Sequence, residues 1–436
     1  MPLKNLLIST LANGIFKKQE FYGKGVRLVN VYDLYQDTEI NISTLERIGT
    51  TDKELEQFQV QEGDLFFCRS SLKPEGVAWT SYINEVTEPT VFECHLVKAQ
   101  PNSLEVIPAY LSHYCRSSLA RDYLMARASI TTMATIDQPA IESLPVILPP
   151  IEVQRSLVAE IEAARQTRKQ KLAQADELFA STDTYLLEQL GIKLSIKPGF
   201  VNAQCFGVKR RNVGIRLDPF YSLPEHQVLE TALSDCPFKV LAIGDRSVVR
   251  EIVEGRITPK PEFYSEDPKD PIFLRAQNIE KGYLNLSDAK RLKRDAFEDE
   301  PKAILLDGDI VLTIDGVLLG IAAVHRSGEE DCCISNHMVH IQHGVETDPE
   351  YLAWFLNSSA GQRQIKRGIT GSAIPGIRTD AIARVLVPIP PLEIQRSLVS
   401  EIEKRRADAQ RLRQEAEAEW EAAKTRFEHK LLGEEA

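Results

Sequence analysis

The sequence predicts an α+β protein with two globular halves of mixed α/β structure, separated by two long helices that pack on each other. Three observations carry this expectation. The stretch Pro149-Pro150-Ile151-Glu152-Val153-Gln154-Arg155-Ser156-Leu157-Val158 recurs, almost unchanged, as Pro390-Pro391-Leu392-Glu393-Ile394-Gln395-Arg396-Ser397-Leu398-Val399. Each copy opens a helical pattern about forty residues long, roughly 60 Å at 1.5 Å per residue. Each is preceded by a segment of mixed strand and helix signals. A separation of 241 positions is too long for a solenoid repeat of about 20–50 residues, so it marks two half-molecules. The segments expected are 1–149 (globular), 150–192 (central long helix), 193–390 (globular) and 391–436 (C-terminal long helix).

Both copies of the stretch are built to start a helix. Proline at the first turn gives up an amide that would be unpaired there, and Glu152 and Glu393 place negative charge at the positive end of the helix dipole. The short apolar runs before them, 144–148 and 385–389, read as a last strand. Along the helices apolar residues recur at steps of three and four. The first seam runs Leu157, Ile161, Ala164, Leu172, Ala175, Phe179, Thr182 and Leu186. The second runs Leu398, Ile402, Ala409, Leu412, Ala416, Trp420, Ala423, Phe427 and Leu431. Arg168 and Arg405 interrupt them. Such a narrow stripe suits a coiled coil, and it extends beyond the reach of one globular core.

Hydrophobic content of 43% and charge of 26% are those of an ordinary globular protein, and no apolar run approaches the length of a membrane span. Met1-Pro2-Leu3-Lys4-Asn5 does not resemble a signal peptide, so a cytoplasmic location is expected. Seven scattered cysteines without a C-x-x-C pair read as reduced thiols. A net charge of −11 excludes a protein that coats nucleic acid by bulk charge; residues 1–150 alone hold 13 Lys+Arg against 18 Asp+Glu.

In chain order, the loop Gly14 to Gly25 carries Lys17, Lys18 and Lys24 against one acid and leads into a strand at 26–31. Gly63-Asp64 is a turn before the strand 65–69, followed by a loop with Lys73. A helix is expected over 108–127. After the first long helix, Lys197-Pro198-Gly199 breaks the pattern and a second half echoes the first. Glu262-Phe263-Tyr264 matches Glu20-Phe21-Tyr22, the segment 273–279 matches 27–31, Gly308-Asp309 matches Gly63-Asp64, and Tyr351-Leu352 matches Tyr110-Leu111. Residues 212–245 have no counterpart, so the first half is shorter at its start.

Catalytic signals are weak. There is no phosphate-binding G-x-x-x-x-G-K-[ST] or G-x-G-x-x-G motif and no Asn-Pro-Pro-aromatic tetrapeptide. Asp288-Ala289-Lys290 after Asp267 and Asp270 only loosely resembles a metal-dependent nuclease set. His337, His340 and His343 alternate faces of a strand, which is poor chelation geometry, and no metal site is expected. Basic loops are the stronger signal. Arg256 and Lys260 follow Gly255. Lys366, Arg367 and Arg378 lie in a window, 361–384, that holds five basic residues and one acid. Flexible loops with Lys and Arg suit phosphate contacts and base-edge readout. Lys17, Lys18, Lys24, Arg69, Lys73, Arg256, Lys260, Lys366, Arg367 and Arg378 are therefore the candidate DNA-binding residues. Arg27 and Arg275 read as structural.

The doubled Pro-Pro-x-Glu-x-Gln helix start, together with Arg216-Leu217-Asp218-Pro219-Phe220-Tyr221, resembles the specificity (S) subunits of type I restriction-modification systems over nearly the whole chain. The resemblance implies two target-recognition domains, each reading one part of a split DNA site, and an antiparallel coiled coil that spaces them and docks two methyltransferase (modification) subunits. It implies no catalysis by this chain and no cofactor in it; the partners would use S-adenosylmethionine, and ATP with magnesium where a restriction/translocase subunit joins. It assigns Leu157, Ile161, Leu172, Leu398, Ile402, Leu412 and Trp420 to the coiled-coil and partner interface. Two other classes remain open: a DNA-binding adaptor of another defence system, and a coiled-coil protein-interaction scaffold.

Overall fold

The computed structural model describes residues 1–194, 221, 223–326, 330–371 and 375–434. The Lys197-Pro198-Gly199 break, and the 216–221 motif apart from Tyr221, lie outside them. The chain divides into two compact units: Met1–Ala173 with Leu412–Ala436, and Gln174–Arg411. Each unit therefore holds one globular half, the start of the helix that follows it and the end of the other long helix.

The first unit is built on an antiparallel sheet in the order Ala12–Asn13, Leu96–Ala99, Leu65–Cys68, Thr80–Tyr82. All four residues of Leu65–Cys68 are buried, as a short apolar run between paired neighbours requires. A second sheet pairs Tyr22–Val29 antiparallel with Glu46–Ile48 and parallel with Thr90–Phe92. The second unit repeats this plan. Val249–Glu254, Met338–His343, Ile310–Thr313 and Ala322–Val324 form the antiparallel sheet, and Ile272–Leu274 pairs parallel with Cys332–Ile334. The parallel pairs set Arg27 opposite Thr90 and Ile272 opposite Cys332. Arg27 thus corresponds to Ile272, which corrects the 27–31 to 273–279 match by a few positions. The Gly-Asp turns coincide as expected. Gly63 and Gly308 take φ of +84° and +81°, and Asp64 and Asp309 accept from the amides three residues earlier at 2.8 and 2.9 Å.

Two expected elements differ. The helix 108–127 is two helices, Pro108–Arg116 and Ser118–Met125, because extended Ser117 ends one and its hydroxyl caps the next. Ser358 does the same between Pro349–Asn357 and Ser359–Gly368. The strand before the second Pro-Pro is present, Leu386–Ile389 paired with Lys239–Ala242. Before the first, in place of a strand, Pro145 bridges Pro2, the Val146 amide and carbonyl bond to the Met1 carbonyl and ammonium, and the Leu3 amide donates to the Leu144 carbonyl.

The two long helices span Ile151–Gln189 and Leu392–Leu432 and pack together antiparallel. In the first unit Glu160 pairs with Arg426 and Lys430, Arg168 with Glu417 at 2.8 Å, and Lys171 with Glu415 and Glu419 at 3.2 and 2.7 Å. In the second unit Arg405 donates to the Ser181 hydroxyl at 3.1 Å. One residue number rises as its partner's falls. Leu157 and Ile161 share a core with Tyr110, Ala423, Phe427 and Leu431, while Leu398 and Ile402 share one with Tyr351, Leu186 and Leu190. Helix on helix and helix on globular core are thus the same packing.

The repeated motif owes its glutamine to this junction. Gln154 and Gln395 are fully buried. Gln154 accepts from the Ile107 amide at 2.9 Å and donates to the carbonyls of Glu105 and Pro149 at 3.1 and 2.9 Å. Gln395 accepts from the Asp348 amide at 2.8 Å and donates to Glu346 and Pro390 at 2.8 and 2.7 Å. Every partner is displaced by the same 241 positions. Each glutamine locks the long-helix start to the N-cap of an earlier helix, Pro108–Arg116 or Pro349–Asn357, satisfying backbone groups that burial would otherwise leave bare.

Candidate nucleic-acid interface

The candidate basic residues fall into two groups. Lys18, Lys24, Arg69 and Lys73 in the first unit, and Lys260, Lys366 and Arg378 in the second, are exposed. Lys24 stands on a bulge where the pairing of Tyr22–Val29 skips between Tyr22 and Val26. Flanking Gly23 and Gly25 take φ of +98° and +105°, and a Cβ on Gly25 would lie 2.3 Å from the Ile48 carbonyl oxygen. Glycine alone permits this Gly-Lys-Gly bulge. Arg69 follows the central strand, and Lys73 caps the short turn Pro74–Gly76.

The side chains of the other three candidates, Lys17, Arg256 and Arg367, have partners within the chain. Lys17 lies over the Phe21 ring and pairs with Glu54 at 2.8 Å, holding that carboxyl down to about 2. Arg256 turns inward, donating to the Ala296 carbonyl and adjoining the buried Cys333 thiol. Arg367 donates to the Tyr221 carbonyl at 3.0 Å, pairs with Glu230 and stacks on the Tyr221 ring. Arg367 and Arg378 do come together, lining one cleft of about 350 Å³ with Leu229 and Leu386. Arg27 is structural as expected, bonded to Glu88 and the Leu45 carbonyl.

The residues assigned to the helical interface divide likewise. Leu157, Ile161, Leu398 and Ile402 are buried within their own unit, whereas Leu172, Leu412 and Trp420 are half-buried. Arg165, which the apolar pattern passes over, is also buried, bonded to Glu162 at 2.6 Å and Asp37 at 2.8 Å. Glu162 in turn lies 2.7 Å from His113 Nε2, and Glu403 accepts from the Trp354 indole at 3.0 Å at the corresponding place in the second unit.

The three histidines do not converge. His337 bonds to Asp315, His340 to Asp309 and the Lys302 carbonyl, and His343 to the carbonyls of Gly344 and Thr347. Asp288 accepts from Gln277 and Asn278, a loop-bracing role. Among the described residues, Glu93, Cys94 and His95 bring possible metal-binding atoms within 4.8 Å of one another; here the carboxylate already bonds the imidazole at 2.8 Å. Among the described residues no helix is long and apolar enough to cross a membrane.

One local frame occurs in both units and has no signature in the charge pattern. In the first, the His95 carbonyl accepts from the Arg69 amide at 2.7 Å and the Arg69 carbonyl from the Ile136 amide at 3.0 Å. In the second, the His337 carbonyl accepts from the Ile314 amide at 3.0 Å and the Ile314 carbonyl from the Ile377 amide at 2.8 Å. A histidine turn, a loop leaving the central strand and a returning segment are thus laced together twice in the same way.

Two mixed α/β units thus share one plan, and each carries exposed basic residues and part of both long helices. The model of the type I restriction modification DNA specificity domain matches residues 243–416. The chain is 21% identical over 290 residues to the MjaVIII specificity subunit of Methanocaldococcus jannaschii, covering 65% of this chain and 60% of that protein. It is 23% identical over 181 residues to the StySPI specificity subunit of Salmonella potsdam, covering 41% of this chain and 35% of that one. The matched parts thus span less than two thirds of either relative. A solved chain from work on complex assembly and conformational transition of the type I R-M system shares the fold across 99% of this chain and 96% of its own, with a TM-score of 0.56 at 16% identity. Residues 243–416 are thus similar to a type I restriction modification DNA specificity domain, and the fold of the chain is similar to that of a chain from a type I R-M system.

Proposed function

We propose that this chain directs a DNA methyltransferase complex to a split double-stranded DNA target. Residues 1–149 and 193–390 act as target-recognition domains, each reading one half-site, and the helical pair sets the spacing and docks two methyltransferase subunits. Restriction/translocase subunits join the same core where the system includes them. The single observation that carries this reading is the duplication itself, repeated down to the hydrogen bonds of Gln154 and Gln395. Two similar reading heads on one chain suit two half-sites, and similar helix starts suit two copies of one partner. Lys18, Lys24, Arg69, Lys73, Lys260, Lys366 and Arg378 supply phosphate contacts, which position the domains without specifying sequence. The acidic balance of the chain fits a complex in which partners enclose the DNA.

The test is long-read modification mapping of host DNA with and without the gene. Loss of methylation at one bipartite motif on deletion is the expected result. An unchanged methylome would favour the scaffold reading or an adaptor for a different defence enzyme.

A further inference from the structure

The two units differ in sequence at most positions outside the helix starts, yet a few exposed side chains are the same in both, a histidine among them. His95 and His337 occupy equivalent turns, before the strands Leu96–Ala99 and Met338–His343, and their side chains are 51% and 52% exposed. Each has Nδ1 2.8 Å from a carboxylate oxygen. The carboxylate comes from Glu93 in one unit and from Asp315, in a different segment, in the other. The same ring orientation is thus reached from two sequence positions. A carboxylate on Nδ1 fixes the imidazole and leaves Nε2 as the edge a ligand can use.

The loop beside each histidine presents a bare apolar side chain. Leu72 is 83% exposed and Val317 is wholly exposed. Both stand three residues beyond the frame residue, Arg69 or Ile314, whose amide meets the histidine carbonyl. Gly316, at φ +75° with nothing near the position of a Cβ, carries the second loop into open space. Behind each loop lies a returning segment: Ser70 and Ser71 pair with Thr135 and Ala134, and Asp315 bridges Gly376. The frame is constant while the tips differ, Arg69-Ser70-Ser71-Leu72-Lys73 against Ile314-Asp315-Gly316-Val317-Leu318. Two readers of different half-sites need that combination. Arg69 and Lys73 bracket the first tip, and in the second unit Arg378, 82% exposed and 3.7 Å from Asp380, follows Ile377, whose amide bonds to the Ile314 carbonyl. This favours a polyanion over an apolar protein face.

We propose that the loops 69–73 and 314–318 are the base-reading segments. Leu72 and Val317 make apolar contacts with base faces or thymine methyl groups, and His95 and His337 hydrogen-bond in the same groove through Nε2. Such contacts carry sequence information that phosphate contacts do not. The inference rests on the proposed function and names the specificity-determining residues within it.

The test is modification mapping of cells expressing the full chain with its methyltransferase, using Leu72→Ala, His95→Gln, Val317→Ala and His337→Gln. All four side chains are exposed, and circular dichroism together with co-purification of the methyltransferase checks each variant's fold and assembly. The expected result is that the first two relax one half-site, by about tenfold in discrimination at a position, and the last two relax the other. A bipartite motif in the wild type that all four variants leave unchanged overturns the inference and spares the functional reading. So does a variant that keeps its DNA affinity and loses the methyltransferase, which would place the surface in a protein interface. No bipartite motif in the wild type overturns both.

Discussion

Gln154 and Gln395 are the residues on which the repeated motif turns. Replacing either with alanine strands one amide and two carbonyls in a dry junction, so Gln154→Ala is expected to cost about 3 kcal/mol in urea unfolding. A loss below about 1 kcal/mol would mean that water reaches these groups. Asp64 allows a test of sign. It is fully buried, with the Lys98 ammonium 3.6 Å away and the Gln61 amide at 2.8 Å, and burial outweighs both, pushing its carboxyl up to about 6. The folded chain then holds this proton more tightly than the unfolded chain does, so the group costs stability as pH rises from about 4 to about 6, and the cost is complete above that. Between pH 4 and pH 7 the stability of Asp64→Asn relative to the wild type should improve by roughly 2–3 kcal/mol. A pH-independent difference in melting temperature would contradict this.

Among the elements, the long helices hold each unit together because their ends belong to globular cores. Phe427 is more than three hundred residues from Tyr110 and His113 in sequence, yet its ring centre lies 6.1 and 6.2 Å from theirs. Phe427→Ala should cost about 3–5 kcal/mol and raise hydrogen exchange within residues 1–149 more than within 239–389. Arg168→Ala, which removes a half-exposed pair with Glu417, should cost less than about 1 kcal/mol. Equal effects would mean that surface charge holds the helices. The helices were legible in the sequence because apolar spacing and proline starts are local signals. Less legible was which cation stays free. Lys17 meets Glu54 thirty-seven positions away, and Arg256 folds onto Ala296, contacts that no count of loop charges contains. Leu172 and Leu412 have the right spacing but are only half-buried, since two helices alone cover less than two helices backed by a globular core. His95 and His337 carry no charge signal, and only the shared backbone frame relates them.

For the whole molecule, the proposed function links charge to assembly. With a net charge of −11 and seven exposed candidate cations, the isolated chain should bind DNA weakly and with steep salt dependence, tightening when methyltransferase is added. Equal affinity in titrations with and without the partner would count against the reading. The central claim is that the helical pair is a ruler between two independent readers, and helix length tests it most directly. Seven residues inserted after Ala173 and seven before Leu412 add close to two whole turns to both strands of the pair, about 10 Å. Modification mapping of that variant should show both half-sites unchanged and the spacer lengthened by about three base pairs, at 3.4 Å each. Unchanged spacing with altered half-sites would contradict the account.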